Sequence, residues 1–254
     1  MTAGENDCLR GRTALVTGGG GSLGRAITLF LRDRGCRVIA LDRDESGIKK
    51  LAAEAGVAIA ACDLLDAAQA ESRLREIWDA NAPISILVNA VGVIHSAPLL
   101  DITNPAKRRH SADEWRRVVE TNLTALFIAT VNVVDRMVAT RTRGVVVNLS
   151  SISAAGNAGQ AAYSAAKAGV NAATLSWAKE LGPLGVRFVA IAPGFVDTPS
   201  TRAALPEAVL TEWARRTPLR RLGTVEHVTN AVLFAITNEH LTGKVIEIDG
   251  GLTL

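Results

Sequence analysis

Tyr163 and Lys167 stand four residues apart in an alanine-rich stretch, 161–181, whose composition predicts a helix. Side chains at that spacing share one helix face. A phenol ionises near pH ~10, too high for a base at neutral pH. An ammonium within about 4–6 Å favours phenolate and lowers that value by roughly 1–3 units. Such a pair can pass a proton to or from an alcohol or carbonyl oxygen. Upstream, the apolar run 145–149 leads into Ser150 and Ser151. A serine hydroxyl there can donate a hydrogen bond to an oxygen on which charge develops. Taken alone, a Tyr/Lys pair of this spacing describes a surface helix as well as a catalytic one. The case depends on what surrounds it.

A second group of residues is suited to binding. The run Thr13-Ala-Leu-Val-Thr17 leads directly into Gly18-Gly-Gly-Gly-Gly-Ser-Leu-Gly24 and then into an amphipathic stretch. Strand, glycine turn, helix is the order that cradles a dinucleotide. Gly19, Gly21 and Gly24 fit the spacing G-x-G-x-x-G, which lets backbone approach a pyrophosphate closely. The helix that follows aims its N-terminal amides at the phosphates. Gly18, Gly21, Ser22, Leu23 and Gly24 are the candidate contacts. The next predicted strand ends in Asp42, 18 positions beyond Gly24. A carboxylate at that place accepts hydrogen bonds from the adenosine ribose and repels a 2′-phosphate. NAD(H) is therefore expected ahead of NADP(H). Arg43 follows at once and is able to pair with such a phosphate, so NADP(H) stays open.

With both groups in place, the sequence resembles the short-chain dehydrogenase/reductase family, over essentially the whole chain from Thr13 to Gly251. The motifs occur in the family's order: the glycine turn, Asp63-Leu64, Asn89-Ala-Val-Gly92, Asn122, Ser150-Ser151, Tyr163 with Lys167, Pro193-Gly194 and Asp249-Gly-Gly251. The resemblance implies an oxidoreductase that exchanges a hydride between a nicotinamide and a secondary alcohol or ketone. It implies that Asn122 holds a water linking Lys167 to solvent. Asp63 and Leu64 would border the adenine, and Asn89, Ala90 and Gly92 would line the cofactor side. The run departs from the family's common Asn-Asn-Ala-Gly at Ala90 and Val91, and Ser22 stands where a glycine is usual. Pro193, Gly194, Val196 and Thr198 would grip the carboxamide; a proline turn followed by a threonine cap is the plain alternative. The strand that ends in a serine pair selects Ser151 as the catalytic serine. The family's usual interval of thirteen, counted back from Tyr163, falls on Ser150 instead, and Ser153 is a third choice. A one-residue deletion in 152–159 reconciles the two in favour of Ser151.

The segment 156–163 is similar to the 3-oxoacyl-carrier-protein reductase branch. That branch usually prefers NADP(H) and docks its carrier through exposed arginines. Asp42 argues against that cofactor, and 181–185 offers no arginine. A small or medium apolar hydroxy or keto compound is the expected substrate, with an acyl-carrier or polyketide ketone as the alternative. A non-catalytic dinucleotide sensor is the reading of another class, and retention of both Tyr163 and Lys167 weighs against it.

These residues need a scaffold. Short Val/Ile/Leu-rich runs at 13–17, 37–41, 84–89, 145–149, 186–192 and 244–248 predict buried parallel strands. Helical patterns fill 24–34, 46–55, 67–80, 112–141, 161–181 and 225–236. Strand alternating with helix predicts an α/β fold, one doubly wound Rossmann domain spanning 1–254 with a tail at 1–10. Residues 93–111 and 193–218 break the rhythm and are expected as binding loops, the second holding a short helix at 207–216. Charge is balanced, with 28 Lys and Arg against 25 Asp and Glu, and without a basic stripe, so no nucleic-acid partner is expected. The three cysteines and four histidines lack metal-ligand spacing, so no metal is expected. The tail lacks the apolar core of a signal peptide, and no uninterrupted apolar run is long enough for a bilayer. A reducing, cytoplasmic setting without a membrane partner is expected. Helices 112–141 and 161–181 are expected to pack against sister subunits in a homotetramer, or failing that a dimer.

Overall fold

Strands in the centre of a sheet covered on both faces are mostly apolar along their length, and here Val, Ile, Leu and Ala predominate, with the polar exceptions Thr13, Thr17, Asn89 and Asn148 buried. The computed structural model describes residues 8–254. Its strands are β1 (Thr13–Thr17), β2 (Arg37–Asp42), β3 (Ala58–Ala61), β4 (Ile86–Asn89), β5 (Gly144–Leu149), β6 (Val186–Pro193) and β7 (Lys244–Ile248). All pair in parallel, in the order β3-β2-β1-β4-β5-β6-β7. Alternate residues feed two cores. Leu15, Leu87 and Val146 face α3 (Ala67–Asn81), α5 (Ala125–Ala139) and α6 (Ala161–Leu181). Val16, Val88 and Val147 face α1 (Ser22–Arg32) and α9 (Val225–Thr237). The remaining helices are α2 (Glu45–Ala55), α4 (Ala112–Val119), α7 (Pro199–Ala204) and α8 (Glu207–Arg216).

The chain winds outward from β1 to β3, then returns to the other flank of β1 as β4. Connections leaving β1 and β4 therefore diverge to opposite faces, opening a crevice at their carboxyl ends. One row of polar side chains crosses the sheet just beneath it. Asn89 Nδ2 donates to Asn148 Oδ1 and to Thr130 Oγ1, each at 2.9 Å, and Asn148 Nδ2 donates to Thr174 Oγ1 at 2.9 Å. Buried amides are costly unless paired. Here each amide is satisfied only if β4, β5, α5 and α6 keep their register.

The expected architecture holds, with four differences in detail. A seventh strand, β3, lies at the sheet edge; its Ala-Ile-Ala-Ala sequence carries little β preference. The expected helix 112–141 ends at Ala139 and is interrupted at Glu120–Thr124 by a π-helical turn. Residues 193–218 hold a second short helix, α7, besides the expected α8. Of the expected tail, residues 1–7 lie outside the described residues, while Leu9 is buried and its amide donates to Arg34 O. The continuous helical stretch Ala112–Ala139 has the length and apolarity of a membrane span, but half of its most apolar window is buried within the fold, as in a core helix.

Candidate active site

The glycine turn is shaped by close approach. Gly18 has φ +68°, and a Cβ there would meet Val91 N at 2.7 Å. A Cβ on Gly24 would run into the Gly18 carbonyl oxygen. Only glycine lets β1 bend back onto its own helix beside the β4 loop. Gly21 precedes α1 and gives it no side-chain cap; the start of a helix carries the positive end of its dipole, which suits an anion. Asp42 closes the far side: its Oδ2 accepts from Gly20 N and its Oδ1 from Asp44 N, both at 3.0 Å.

A cleft of about 220 Å³ runs from this turn across the crevice. Gly18, Gly21, Asp42, Arg43, Asp63, Leu64, Ala90 and Gly92 all line it, as the sequence suggested. Cys62, Leu65, Val91, Val93, Thr121 and Ala125 line it as well and were not singled out. Each adjoins or lies close to a residue that was, so a wider reading of the same motifs reaches them. Ser22, Leu23 and Gly24 sit in the first turn of α1. The Asn89 side chain is different: it belongs to the buried row within the sheet and does not face the cleft. Pro193 ends β6, and Gly194 donates its amide to Ile248 O at 3.0 Å. Val196 is buried and bridges to Gly223. The Thr198 hydroxyl accepts from Thr201 N at 3.1 Å and so caps α7, the plain role foreseen for it.

Beyond the cleft lie the groups fit for proton transfer. Tyr163 is packed with Val118 and Ala162, and only 9% of its surface is exposed. The Ser151 hydroxyl lies close enough to the Tyr163 phenol to favour its ionised form. Ser150 is turned elsewhere, its buried hydroxyl donating to Lys167 O at 3.3 Å. The two adjacent serines thus differ in surroundings. Lys167 is 4% exposed; its amine donates to Leu149 O at 2.8 Å and lies 5.7 Å from the Tyr163 ring centre. Asn122 sits inside the π-helical turn, wholly buried. Its Nδ2 donates to Val93 O and Val118 O at 2.9 Å, and its Oδ1 accepts from Val93 N at 3.3 Å. Gly92 lies between: a Cβ there would come 2.7 Å from Asn122 Oδ1 and 3.5 Å from the Lys167 amine.

One expectation is corrected. The ammonium was expected to draw the phenol down. Instead burial pushes the Tyr163 phenol up, and only the Ser151 hydroxyl pulls it back. Burial also lowers the Lys167 amine from 10.5 to about 8. A dry site disfavours both charged forms, and the amine is committed to a backbone carbonyl.

The chain is similar to several known proteins. Residues 19–253 match the family model described as enoyl-(acyl carrier protein) reductase. The 3-oxoacyl-(acyl-carrier-protein) reductase of Thermotoga maritima is 35% identical over 97% of this chain and 99% of its own. The (3R)-3-hydroxyacyl-CoA dehydrogenase of Canis lupus familiaris is 33% identical over 96% and 97%. The ligand-free aldohexose dehydrogenase of Thermoplasma acidophilum superposes with a TM-score of 0.84 at 30% identity, over 96% of this chain and 94% of that one. The chain belongs to the short-chain dehydrogenase/reductase family, as an oxidoreductase that exchanges a hydride between a pyridine nucleotide and the secondary alcohol or ketone group of a small molecule.

Proposed function

We propose that the protein uses NAD(H) and that Tyr163, Ser151, Lys167 and Asn122 carry out its proton chemistry. The observation behind this reading is a buried cluster in which the Tyr163 phenol lies beside the Ser151 hydroxyl and the Lys167 amine stands 5.7 Å from the Tyr163 ring centre. The bound nicotinamide would supply or receive the hydride. Ser151 orients the substrate oxygen through its hydroxyl. Tyr163 gives that oxygen a proton in reduction and takes one in oxidation. Asn122, next to the same amine across Gly92, links Lys167 to solvent. The glycine turn and the start of α1 would hold the pyrophosphate, and Asp63 and Leu64 would border the adenine. Gly194 and Val196, just after β6, would hold the nicotinamide carboxamide through backbone groups.

Preference for NAD(H) rests on Asp42. Its carboxylate is fixed by two backbone amides at the wall of the cleft, where a ribose hydroxyl can donate to it and a 2′-phosphate meets like charge. Asp42→Asn keeps an oxygen for Gly20 N and removes the charge. It should move the NADPH-to-NADH ratio of kcat/KM at least tenfold towards NADPH, about 1.4 kcal/mol. A panel of ketones and secondary alcohols, followed by the absorbance of reduced nicotinamide with each cofactor, tests the whole reading. The panel should include 3-oxoacyl thioesters, because two relatives are named for 3-oxoacyl and 3-hydroxyacyl substrates. A tenfold preference of the unaltered enzyme for NADP(H) would overturn the role given to Asp42.

The setting proposed is cytoplasmic and the assembly a homotetramer. Phe127 and Val131 on α5 and Leu175 on α6 are large apolar side chains between 38% and 48% exposed on the helices expected to meet sister subunits. Light scattering at micromolar concentration should return four copies, and a monomer alone would refute the assembly.

A further inference from the structure

Three side-chain hydrogen bonds outside the chemistry above converge on Gln160, the residue before α6. Gln160 does not cap that helix with its side chain. Its Nε2 donates to Ser96 Oγ at 3.1 Å. Its Oε1 accepts from Ser153 Oγ at 3.1 Å and from Asn157 Nδ2 at 3.0 Å. Ser153 in turn gives its backbone N–H to Ser151 Oγ at 3.1 Å. That bond fills an acceptor site of the Ser151 hydroxyl and leaves its proton free to turn to the phenol. Ser153 lies in a four-residue 3-10 turn, Ile152–Ala155, followed by Gly156 at φ +106°. A turn this short has few bonds of its own and depends on side chains to hold its shape. The loop 93–111 is held at the same place: Ala97 N donates to Gly159 O at 2.7 Å beside the Ser96 contact. Its other anchor is Asn122, bonded to both backbone groups of Val93.

We propose that Gln160 is a positioning residue with two separable tasks. Through its carbonyl oxygen it holds Ser153, and thereby the Ser151 hydroxyl, in place against Tyr163. Through its amide nitrogen it fastens the loop 93–111 to the catalytic turn. This inference rests on the roles given above to Ser151 and Tyr163.

Tyr163 is the chain's one tyrosine, so protein grown with tyrosine labelled at the ring carbon bearing the hydroxyl gives a single NMR resonance from it. In Ser151→Ala that resonance should move, and Gln160→Leu should move it in the same direction. Gln160→Leu should also lower kcat on the order of ten- to a hundredfold, the scale of a small misplacement of reacting groups. In the Ser151→Ala background it should lower kcat no further. Gln160→Glu, which keeps the acceptor for Ser153 and Asn157, should restore the resonance and most of the lost kcat, whereas Ser96→Ala, which removes the loop contact alone, should raise KM for the ketone and leave the resonance in place. A resonance unmoved by Gln160→Leu, or a full further loss of kcat in the Ser151→Ala background, would overturn the proposal. If the unaltered protein turns over no ketone, the proposed function fails, and the resonance alone still decides whether Gln160 acts through Ser151.

Discussion

Tyr163→Phe should cut ketone reduction on the order of a thousandfold, within the range that general acid–base groups contribute, and leave dinucleotide affinity essentially unchanged. The substitution removes one oxygen from a buried ring. Packing with Val118 and Ala162 is retained, so the fold has no reason to suffer. What disappears is the hydroxyl beside Ser151, and the chain has no second tyrosine to take over. The glycine turn and Asp42 lie outside the substitution, so NADH titration by fluorescence should give the same dissociation constant. Steady-state rates and that titration, taken together, separate chemistry from binding. A variant that keeps more than about a tenth of its turnover would show that another group donates the proton. A protein whose only task is to sense the dinucleotide would lose neither property.

The sequence made binding residues legible more readily than catalytic geometry, for a physical reason. The order strand, glycine turn, helix is a local pattern that can be read along the chain, although Gly18 is packed against Val91 of the distant β4 loop. Gly21 and Gly24 accordingly stand at the start of α1 and Asp42 at the end of β2. The serine pair is not local. Ser150 and Ser151 are adjacent, and only the alternation of side chains at the end of β5 sends one to Lys167 O and the other to Tyr163. Asn89 failed for a similar reason: its face is set by register with Thr17 and Asn148 across three strands. Helical periodicity ran straight through Glu120–Thr124, because a π-helical turn adds one residue without changing composition. Yet that turn holds Asn122, and such turns recur at functional sites. β3 escaped because four mostly alanine residues carry no strand pattern, and their pairing with β2 comes from the sheet.

Lys167→Met should make the cofactor-free protein more stable at pH 7 and less stable near pH 10.5, with the difference changing sign between. Methionine fills similar space without an amine. In the native state burial lowers that amine from 10.5 to about 8, an amount equivalent to about 3 kcal/mol against the charged form. Below pH 8 folded and unfolded chains both carry the proton, so the whole cost is present. Between 8 and 10.5 the unfolded chain binds the proton and the native one releases it, so wild-type stability rises with pH. Above 10.5 the cost is gone. What the variant then lacks is the hydrogen bond to Leu149 O, worth about 1 kcal/mol. The net difference should therefore run from about 2 kcal/mol in favour of the variant to about 1 kcal/mol against it. The raised phenol of Tyr163 is common to both proteins and drops out of the comparison. Urea unfolding at half-unit steps of pH, without cofactor, measures the difference, and parallel curves would mean that the amine is not desolvated. A cost of this size inside a small domain is a large fraction of its stability. Its retention makes sense if the amine serves the reaction, because a methionine would serve the fold better at neutral pH.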